Sequence, residues 1–290
     1  MRLTPLRLAP TERDRGSIAE SLPFGEVYMM DLSRMRRALW LAPVAFTITA
    51  CDGTAPRVLQ PVSLSVTTKG TSGVAVPAGS GVSAAIQIGS GANSLSITQA
   101  QIVLARIELS TAGTCATTGE EDDCAELRLG PTLVDLPVDA TTQVMLQDVA
   151  VPAGTYNGVQ AKLDAVKPDD NEPGASAFLT AHPEFNGISV KVTGVFTDAS
   201  NATHVFTFTS EVDAEMAATF NPPVTLASDT KNFTIAVDIA SWFKDASGAV
   251  IDPTNPANAE AIERNIRRSA RVFEDDDHDG VDDHEAGTHE

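Results

Sequence analysis

The sequence of 290 residues lacks the short motifs that mark common active sites. It contains no Gly-x-Ser-x-Gly, no His-Glu-x-x-His and no Gly-x-x-x-x-Gly-Lys-Ser/Thr, so hydrolase nucleophiles, zinc proteases and phosphate-binding loops are not indicated. Aromatic residues make up only 5%, with two Trp, which leaves no evident platform for stacking sugars. We therefore expect a protein without catalytic activity.

Basic residues are also scarce. The chain has 20 Lys and Arg against 39 Asp and Glu, a formal net charge of −19. A surface this acidic repels phosphate backbones, so we expect no nucleic-acid partner. It attracts divalent cations, which are the expected small partners.

No apolar run is long enough to cross a bilayer, which needs roughly 20 residues. The run Ala38–Ile48 follows Arg36-Arg37 and leads into Ile48-Thr-Ala-Cys51. This arrangement resembles a bacterial lipoprotein signal with its lipobox. In such a signal the small residues give the peptidase access to the backbone, and the thiol of Cys51 takes the lipid. The alternatives are a transmembrane anchor or a buried core segment.

The lipobox resemblance implies a mature protein that begins at Cys51 and is lipid-anchored at the bacterial cell envelope, facing the periplasm or the exterior. Residues 1–50 would be a mis-called N-terminal extension plus the signal peptide, and residues 51–61 a linker. Without residues 1–50, 13 basic and 34 acidic residues remain, a formal charge of −21. Asp52 resembles a retention signal of enteric bacteria, but the membrane leaflet stays open.

Cysteine is rare, with three in the chain. Lipid at Cys51 leaves Cys115 and Cys124, which we expect to form a disulfide in an oxidising compartment. Closing this short loop is worth roughly 2 to 3 kcal/mol by loop entropy. A structural zinc site is the alternative, but it needs two more ligands, and none is close in sequence.

Alternating apolar and small polar residues predict an antiparallel β-sandwich over residues 62–252. Val62–Thr68 shows the pattern clearly. Further strands are predicted at residues 82–88, 94–109, 126–129, 132–136, 143–149, 156–166, 188–196, 204–212, 224–226 and 232–239. A polar stretch near 167–187 could divide the sandwich into two subdomains, so one unit or two stays open.

One helix is predicted, at residues 253–273. Pro253 and Pro256 lie at its start, and apolar residues recur every three or four positions on one face. This face comprises Ile262, Ile266, Ala270 and Phe273. We expect the helix to dock on the sandwich.

Several short sequence segments of the chain resemble those of a group of uncharacterised bacterial lipoproteins over roughly residues 95–283. They are Ile107–Leu109, Leu133–Leu136, Pro152–Tyr156 and the stretch from Val237 to Pro253. The resemblance implies an all-β fold, an antiparallel sandwich of transthyretin or immunoglobulin-like type with one C-terminal helix and a short acidic loop. It implies no activity, and no catalytic residue can be carried over.

The acidic tail at residues 274–290 has the spacing of a calcium loop. Oxygen ligands at loop positions 1, 3 and 5, a glycine at 6 and a carboxylate at 9 are what such a loop needs. Gly280 occupies position 6, and the loop resembles thrombospondin type 3 repeats. The candidate Ca²⁺ ligands are Asp275, Asp277, Asp279, the Val281 carbonyl, Asp283 and Glu285.

The loop departs from the pattern at position 12, where Ala286 replaces the closing carboxylate and Glu285 comes one residue early. We therefore expect a weak site, with a Kd on the order of 10⁻⁴ to 10⁻³ M. One alternative is a disordered acidic tail whose charges repel one another. Another is a transition-metal site formed by His278, His284 and His289.

These observations favour a lipid-anchored envelope binding or scaffold protein that binds calcium weakly and meets an unknown envelope protein or glycan. The rival hypothesis is a carrier or recognition domain for a small molecule or glycan. A pocket lined by Tyr156, Trp242 or Phe243 would favour the rival.

Overall fold

The computed structural model describes residues 58–68, 74–76, 84–89, 93–111, 125–139, 143–227 and 230–283. The predicted signal sequence, Cys51, Cys115, Cys124 and Glu285 lie outside these residues. The expected lipid site, disulfide and last calcium ligand therefore remain predictions.

The described residues are mostly strands. They are β1 (Leu59–Thr67), β2 (Val74–Val76), β3 (Ala85–Ile88), β4 (Ser94–Thr111), β5 (Ala125–Leu129), β6 (Thr132–Leu136), β7 (Gln143–Pro152), β8 (Gly154–Leu163), β9 (Val190–Thr197), β10 (Thr203–Ser210), β11 (Ala214–Leu226), β12 (Lys231–Val237) and β13 (Ala270–Glu274). β1 begins at Leu59, three residues before the predicted start of this strand at Val62.

These strands form two sheets. Within the described residues, one sheet has four strands in the order β13-β12-β1-β7, and the other has nine strands built around β4. The long β4 pairs with β3 and β9 in its first half, and with β5 and β8 in its second half. β11 then pairs with β8, and β10 with β9.

One hydrophobic core joins the two sheets. Val62 and Ile235 of the four-stranded sheet belong to the same buried cluster as Leu104 and Val192 of the nine-stranded sheet. This arrangement confirms a mostly β fold with two sheets, consistent with a β-sandwich. Residues before and after the stretch 167–187 share this core.

The prediction of a purely antiparallel sandwich is wrong at one place. β1 and β12 are parallel, with Val62 opposite Lys231 and Thr67 opposite Ala236. The partners are 169 residues apart in the chain, so their relative direction depends on the path of all the intervening strands. Alternation within each strand carries no information on that path.

The predicted helix at 253–273 is also wrong in its length. The structure has a helix α3 only at Ala259–Ile266, and residues 270–274 form β13 instead. Ile262 and Ile266 are buried against the sandwich as expected. Ala270 and Phe273 lie in β13, where they pair with Val237 and Thr234 of β12. A strand partner that is distant in sequence decides the structure of this segment. Two further short helices, α1 (Ala175–Ala181) and α2 (Ile239–Trp242), were not predicted.

The stretch near 167–187, where the sandwich could have divided into subdomains, contains short helical elements. It contains α1 and a single 3-10 turn at Pro183–Phe185. Phe178 and Phe185 pack in a small separate cluster with Val103 of β4. No helix in the part of the chain that the structure describes is long and apolar enough to cross a membrane.

Candidate metal centre

The acidic loop is joined to the sheet at its first residue. β13 ends at Glu274, opposite Phe233 of β12. The next residue, Asp275, is fully buried, and its N–H donates to the carbonyl oxygen of Asn232 at 2.9 Å. The loop therefore starts from a fixed point on β12.

The buried carboxylate of Asp275 accepts three hydrogen bonds. The N–H groups of Asp279 and Gly280 donate to its two oxygens at 2.9 and 3.1 Å. The hydroxyl of Thr234 on β12 donates at 3.0 Å. A buried carboxylate is costly unless such donors surround it, so these bonds hold the loop and the strand together.

The next two aspartates stabilise the turn in the same way. Asp277 Oδ1 accepts from the N–H of Asp279 at 3.0 Å, and Asp279 Oδ1 accepts from the N–H of Val281 at 2.7 Å. His278 and Gly280 adopt left-handed backbone angles, with φ of 59° and 80°. Each side chain bonds to a backbone group two residues on, as aspartates in tight turns do.

These turns bring three carboxylates together. One oxygen each from Asp275, Asp277 and Asp279 lie within 4.8 Å of one another. Asp277 and Asp279 are exposed, whereas Asp275 is buried. A carboxylate oxygen has two lone pairs, so one that accepts an N–H can still bind a cation. The donors are all hard oxygens, which suits Ca²⁺ or Mg²⁺ and does not suit soft metals.

Asp283 closes the base of the loop. Its N–H donates to the carbonyl oxygen of Glu274 at 3.0 Å, and its Oδ2 accepts from the N–H of Asp276 at 2.6 Å. Burial raises the pKa of Asp283 above its ordinary value, and the charges of neighbouring aspartates raise it further. The structure does not group Asp283 with the three clustered carboxylates, so its role as a ligand remains a prediction.

A lysine on β12 contacts two further acidic side chains, Glu274 and Asp276. Lys231 Nζ lies 2.6 Å from Glu274 Oε1 and also contacts Asp276 Oδ2. Burial lowers the pKa of Lys231, but the hydrogen bonds and charges of Asp276 and Glu274 outweigh it, so the net pKa is raised. Asp276 Oδ1 also accepts from the N–H of Asn232 at 3.0 Å.

Sequence analysis missed the contribution of β12. Lys231, Asn232 and Thr234 support the loop from more than 40 residues away, and no local pattern indicates that pairing. The predicted residues Asp275, Asp277 and Asp279 are brought together. Val281 joins the turn through its N–H, its side chain is 44% exposed, and His278 is exposed.

The aromatic residues proposed for a carrier pocket are core residues. Trp242 and Phe243 are buried, and Trp242 Nε1 donates to Ser269 Oγ at 2.5 Å. The buried Tyr156 donates its hydroxyl to the carbonyl oxygen of Pro152 at 2.8 Å, which fixes the turn before β8. The cavity beside Trp242 has a volume of about 10 Å³, too small for any ligand larger than water.

Comparison with known proteins gives little further information. No protein-family model matches the chain, and no curated protein matches it. Among solved structures, MbnP from Methylosinus trichosporium is similar with a TM-score of 0.30 and 14% sequence identity, covering 69% of this chain and 85% of that chain. A similarity of this strength assigns neither a fold nor a function here.

Proposed function

We propose that this chain is a non-enzymatic binding or scaffold protein of the bacterial cell envelope, anchored by lipid at Cys51, with a weak calcium site in the loop after β13. The sandwich would be of the transthyretin or immunoglobulin-like class, as the sequence resemblance implies. Its two sheets and shared core support that class, and the parallel pair β1–β12 is a local departure from it.

One observation carries the calcium proposal. A buried aspartate fixed to β12 lies beside two exposed aspartates, with oxygens of all three within 4.8 Å. Like charges this close repel one another, and a divalent cation would turn that repulsion into attraction. Backbone carbonyls and water would supply the remaining oxygens of a six- to eight-coordinate shell.

The role of calcium would be to fasten the loop on the sheet. Asp275 connects the loop to Thr234 and, through its backbone, to Asn232. A cation shared by Asp275, Asp277 and Asp279 would add bonds between this fixed point and the exposed turn. The C-terminal segment would then be ordered where calcium is millimolar, as it is outside cells, and would be free to meet an envelope partner.

Calcium titration with thermal melting tests this function. For a Kd of 10⁻⁴ to 10⁻³ M, 10 mM Ca²⁺ should stabilise the folded chain by roughly 1.5 to 2.7 kcal/mol, a few degrees in Tm. Asp277→Asn and Asp279→Asn should abolish the rise. Asp245→Asn, in an exposed turn with a single carboxylate, should keep it. A Tm of the wild-type chain that calcium does not change would contradict the proposed calcium site.

The anchor needs a separate test. Cys51→Ala should move the protein from the membrane fraction to the soluble fraction of a bacterial host, because the acylated thiol is its proposed attachment. Mass spectrometry of the wild-type protein should show a lipidated Cys51 and, for the pair Cys115 and Cys124, a mass lower by two hydrogen atoms than that of the two thiols. An uncut precursor with free thiols would contradict the envelope assignment.

A further inference from the structure

The strand β10 lies at the end of the nine-stranded sheet, and its outer edge has no strand partner among the described residues. β10 pairs with β9 along its whole length, from Thr203 opposite Thr197 to Ser210 opposite Val190. No residue of the acidic loop belongs to this edge. A strand in this position presents a row of N–H and C=O groups that a further strand can bind.

The hairpin between β9 and β10 shows which backbone groups face outward. The N–H of Asp198 donates to the carbonyl oxygen of Ala202 at 3.0 Å, so these two residues form a hydrogen-bonded pair. Hydrogen-bonded and non-hydrogen-bonded pairs alternate along an antiparallel ladder. The even-numbered residues of β10 therefore bond to β9, and the odd-numbered residues direct their N–H and C=O groups away from it. The outward-facing residues are Thr203, Val205, Thr207 and Thr209.

The side chains of these four residues are all exposed. Val205 is 86% exposed, more than any other large apolar side chain in the described part of the chain. Between them, Phe206 and Phe208 are buried and both contact the ring of Phe243. The core therefore holds β10 in place, and its outer side carries β-branched residues, which suit a strand that packs beside another strand.

β10 lacks the features that keep a sheet edge from pairing. Its eight residues include no proline and no Asp, Glu, Lys or Arg. The other outer strands of the described sheets are short, charged or interrupted. β2 has three residues, β11 contains Pro222 and Pro223, and β7 carries Asp148 and shifts register against β1. β5, β6 and β13 each carry at least one charged residue. Short length, charge and proline protect edges from association, and β10 has none of them.

A second copy of the chain fits this edge, because β10 is complementary to itself. Two β10 strands related by a two-fold axis at Phe206 run antiparallel. Thr203 then lies opposite Thr209 of the second copy, and Val205 lies opposite Thr207 of the second copy. Every outward-facing residue finds an outward-facing partner in this register, whereas a shift by two residues leaves one on each strand unpaired. Pairs of β-branched residues across two strands are favourable.

The charge distribution also favours this edge for self-association. The chain has a formal net charge of −19, so two copies repel each other over most of their surface. β10 adds no charge to that repulsion, and Glu211, which follows it, lies 3.3 Å from Lys167 Nζ. We propose that two copies of this chain associate through β10 and form a symmetric dimer with one continuous sheet.

Sedimentation equilibrium of the full chain tests the dimer. The parent chain carries Cys51→Ala and is measured in chelator, so that neither lipid nor calcium can join two copies. Salt at about 0.15 M screens the acidic surfaces beyond about 8 Å. At about 100 µM protein, most of the chain should be dimeric. A parent chain that stays monomeric at this concentration would overturn the proposal.

Three variants separate the edge from the face of the sheet. Val205→Lys and Thr207→Pro should each weaken dimerisation by about tenfold or more, because one adds charge and the other removes an outward N–H without affecting a bond to β9. Val195→Lys places the same charge on β9, opposite Val205, and should keep the dimer. Circular dichroism confirms that each variant is folded. A dimer that both β10 variants retain, or that Val195→Lys loses equally, would contradict pairing through the edge.

Cysteine cross-linking then tests the register. Chains with Thr203→Cys, mixed with chains with Thr209→Cys, should form a disulfide between copies, because facing residues lie about 5.5 Å apart. Neither variant should cross-link with itself, since the two copies of one position would be about 20 Å apart along the strands. The parent chain controls for Cys115 and Cys124. Cross-linking of either variant with itself would contradict the two-fold axis at Phe206.

Discussion

Two turns in this protein begin with an aspartate whose carboxylate accepts hydrogen bonds from backbone N–H groups, but the turns differ in how many carboxylates they contain. At Asp245, one oxygen accepts from the N–H of Ser247, the hydroxyl of Ser247 and the N–H of Ala249 at 2.8, 2.6 and 2.9 Å. At Asp275, the carboxylate accepts from the N–H groups four and five residues on and from Thr234. Asp245 is satisfied by donors within its own turn, whereas Asp275 also accepts from Thr234 on β12.

The difference lies in burial and in the number of carboxylates. Asp245 is exposed, and the residues that follow it carry no second charge, so its hydrogen bonds lower its pKa and nothing further is needed. Asp275 is buried, and two more aspartates converge on it. An Asp turn alone is therefore a structural element. Three carboxylates in one turn repel one another, and this repulsion is the reason for proposing a cation at Asp275 and none at Asp245.

The largest effect is expected when the first aspartate of each turn, Asp275 or Asp245, is replaced by alanine. Asp275→Ala removes the buried carboxylate that accepts from the Gly280 N–H and the Thr234 hydroxyl, and we expect a loss of about 3 kcal/mol in the free energy of unfolding. Asp245→Ala should cost clearly less, because water replaces the carboxylate. Urea denaturation followed by circular dichroism measures both. Equal losses would show that burial of Asp275 contributes nothing.

A second test changes the charge around the loop without touching it. Lys231→Met removes the cation that contacts Glu274 and Asp276, and should destabilise the calcium-free protein by about 2 kcal/mol, because Glu274 is buried. The same change makes the loop more negative, so calcium should raise Tm by more than in the wild type.

Lys167→Met is the matched control for that experiment. Lys167 pairs with Glu211 on the surface, where both side chains are at least half exposed. Surface pairs contribute little, so neither the Tm nor the calcium response should change. A calcium response that stays constant in Lys231→Met would contradict the view that net charge at the loop sets affinity.

The smallest expected effect is on pH dependence. Asp198 forms a turn like that of Asp245, and the Ser200 hydroxyl, the Ala202 N–H and His204 hold its pKa well below the ordinary value of 3.8. A depressed pKa stabilises the fold at pH above 3.8, and this contribution is lost as pH falls below it. The Tm of Asp198→Asn should therefore lie below wild type at pH 6, and the gap should shrink at pH 2. A gap of the same size at both pH values would show that the hydrogen bonds do not depend on charge.

The sequence predicted those features that depend only on residues close together in the chain. Alternation located strands such as β9 and β12, and the i, i+2 spacing of Asp275, Asp277 and Asp279 identified their cluster, because the turn itself brings those side chains together. The support from Lys231 and Thr234 was not predictable, since it depends on which strand lies beside β13.

The same limit explains the errors. Ala270 and Phe273 fit a helical period, and only the presence of β12 as a neighbour makes their segment a strand. The cluster of Arg106, Arg128 and Lys162 is also unpredictable from local sequence, because these residues lie on three strands that pair across large gaps in sequence. The polar stretch near 167–187 was predicted as a possible break between two subdomains, and its sequence does not show that residues of α1 pack with Val103 of β4.

The parallel pairing of β1 with β12 affects the order in which the protein can be made. β1 is the first of the described strands to leave the ribosome, yet one of its two edges has no partner until Lys231 is synthesised 169 residues after Val62. An unpaired strand edge is an aggregation hazard, and contacts of such long separation form slowly. The nascent chain therefore has reason to depend on a holding factor until its C-terminal strands emerge.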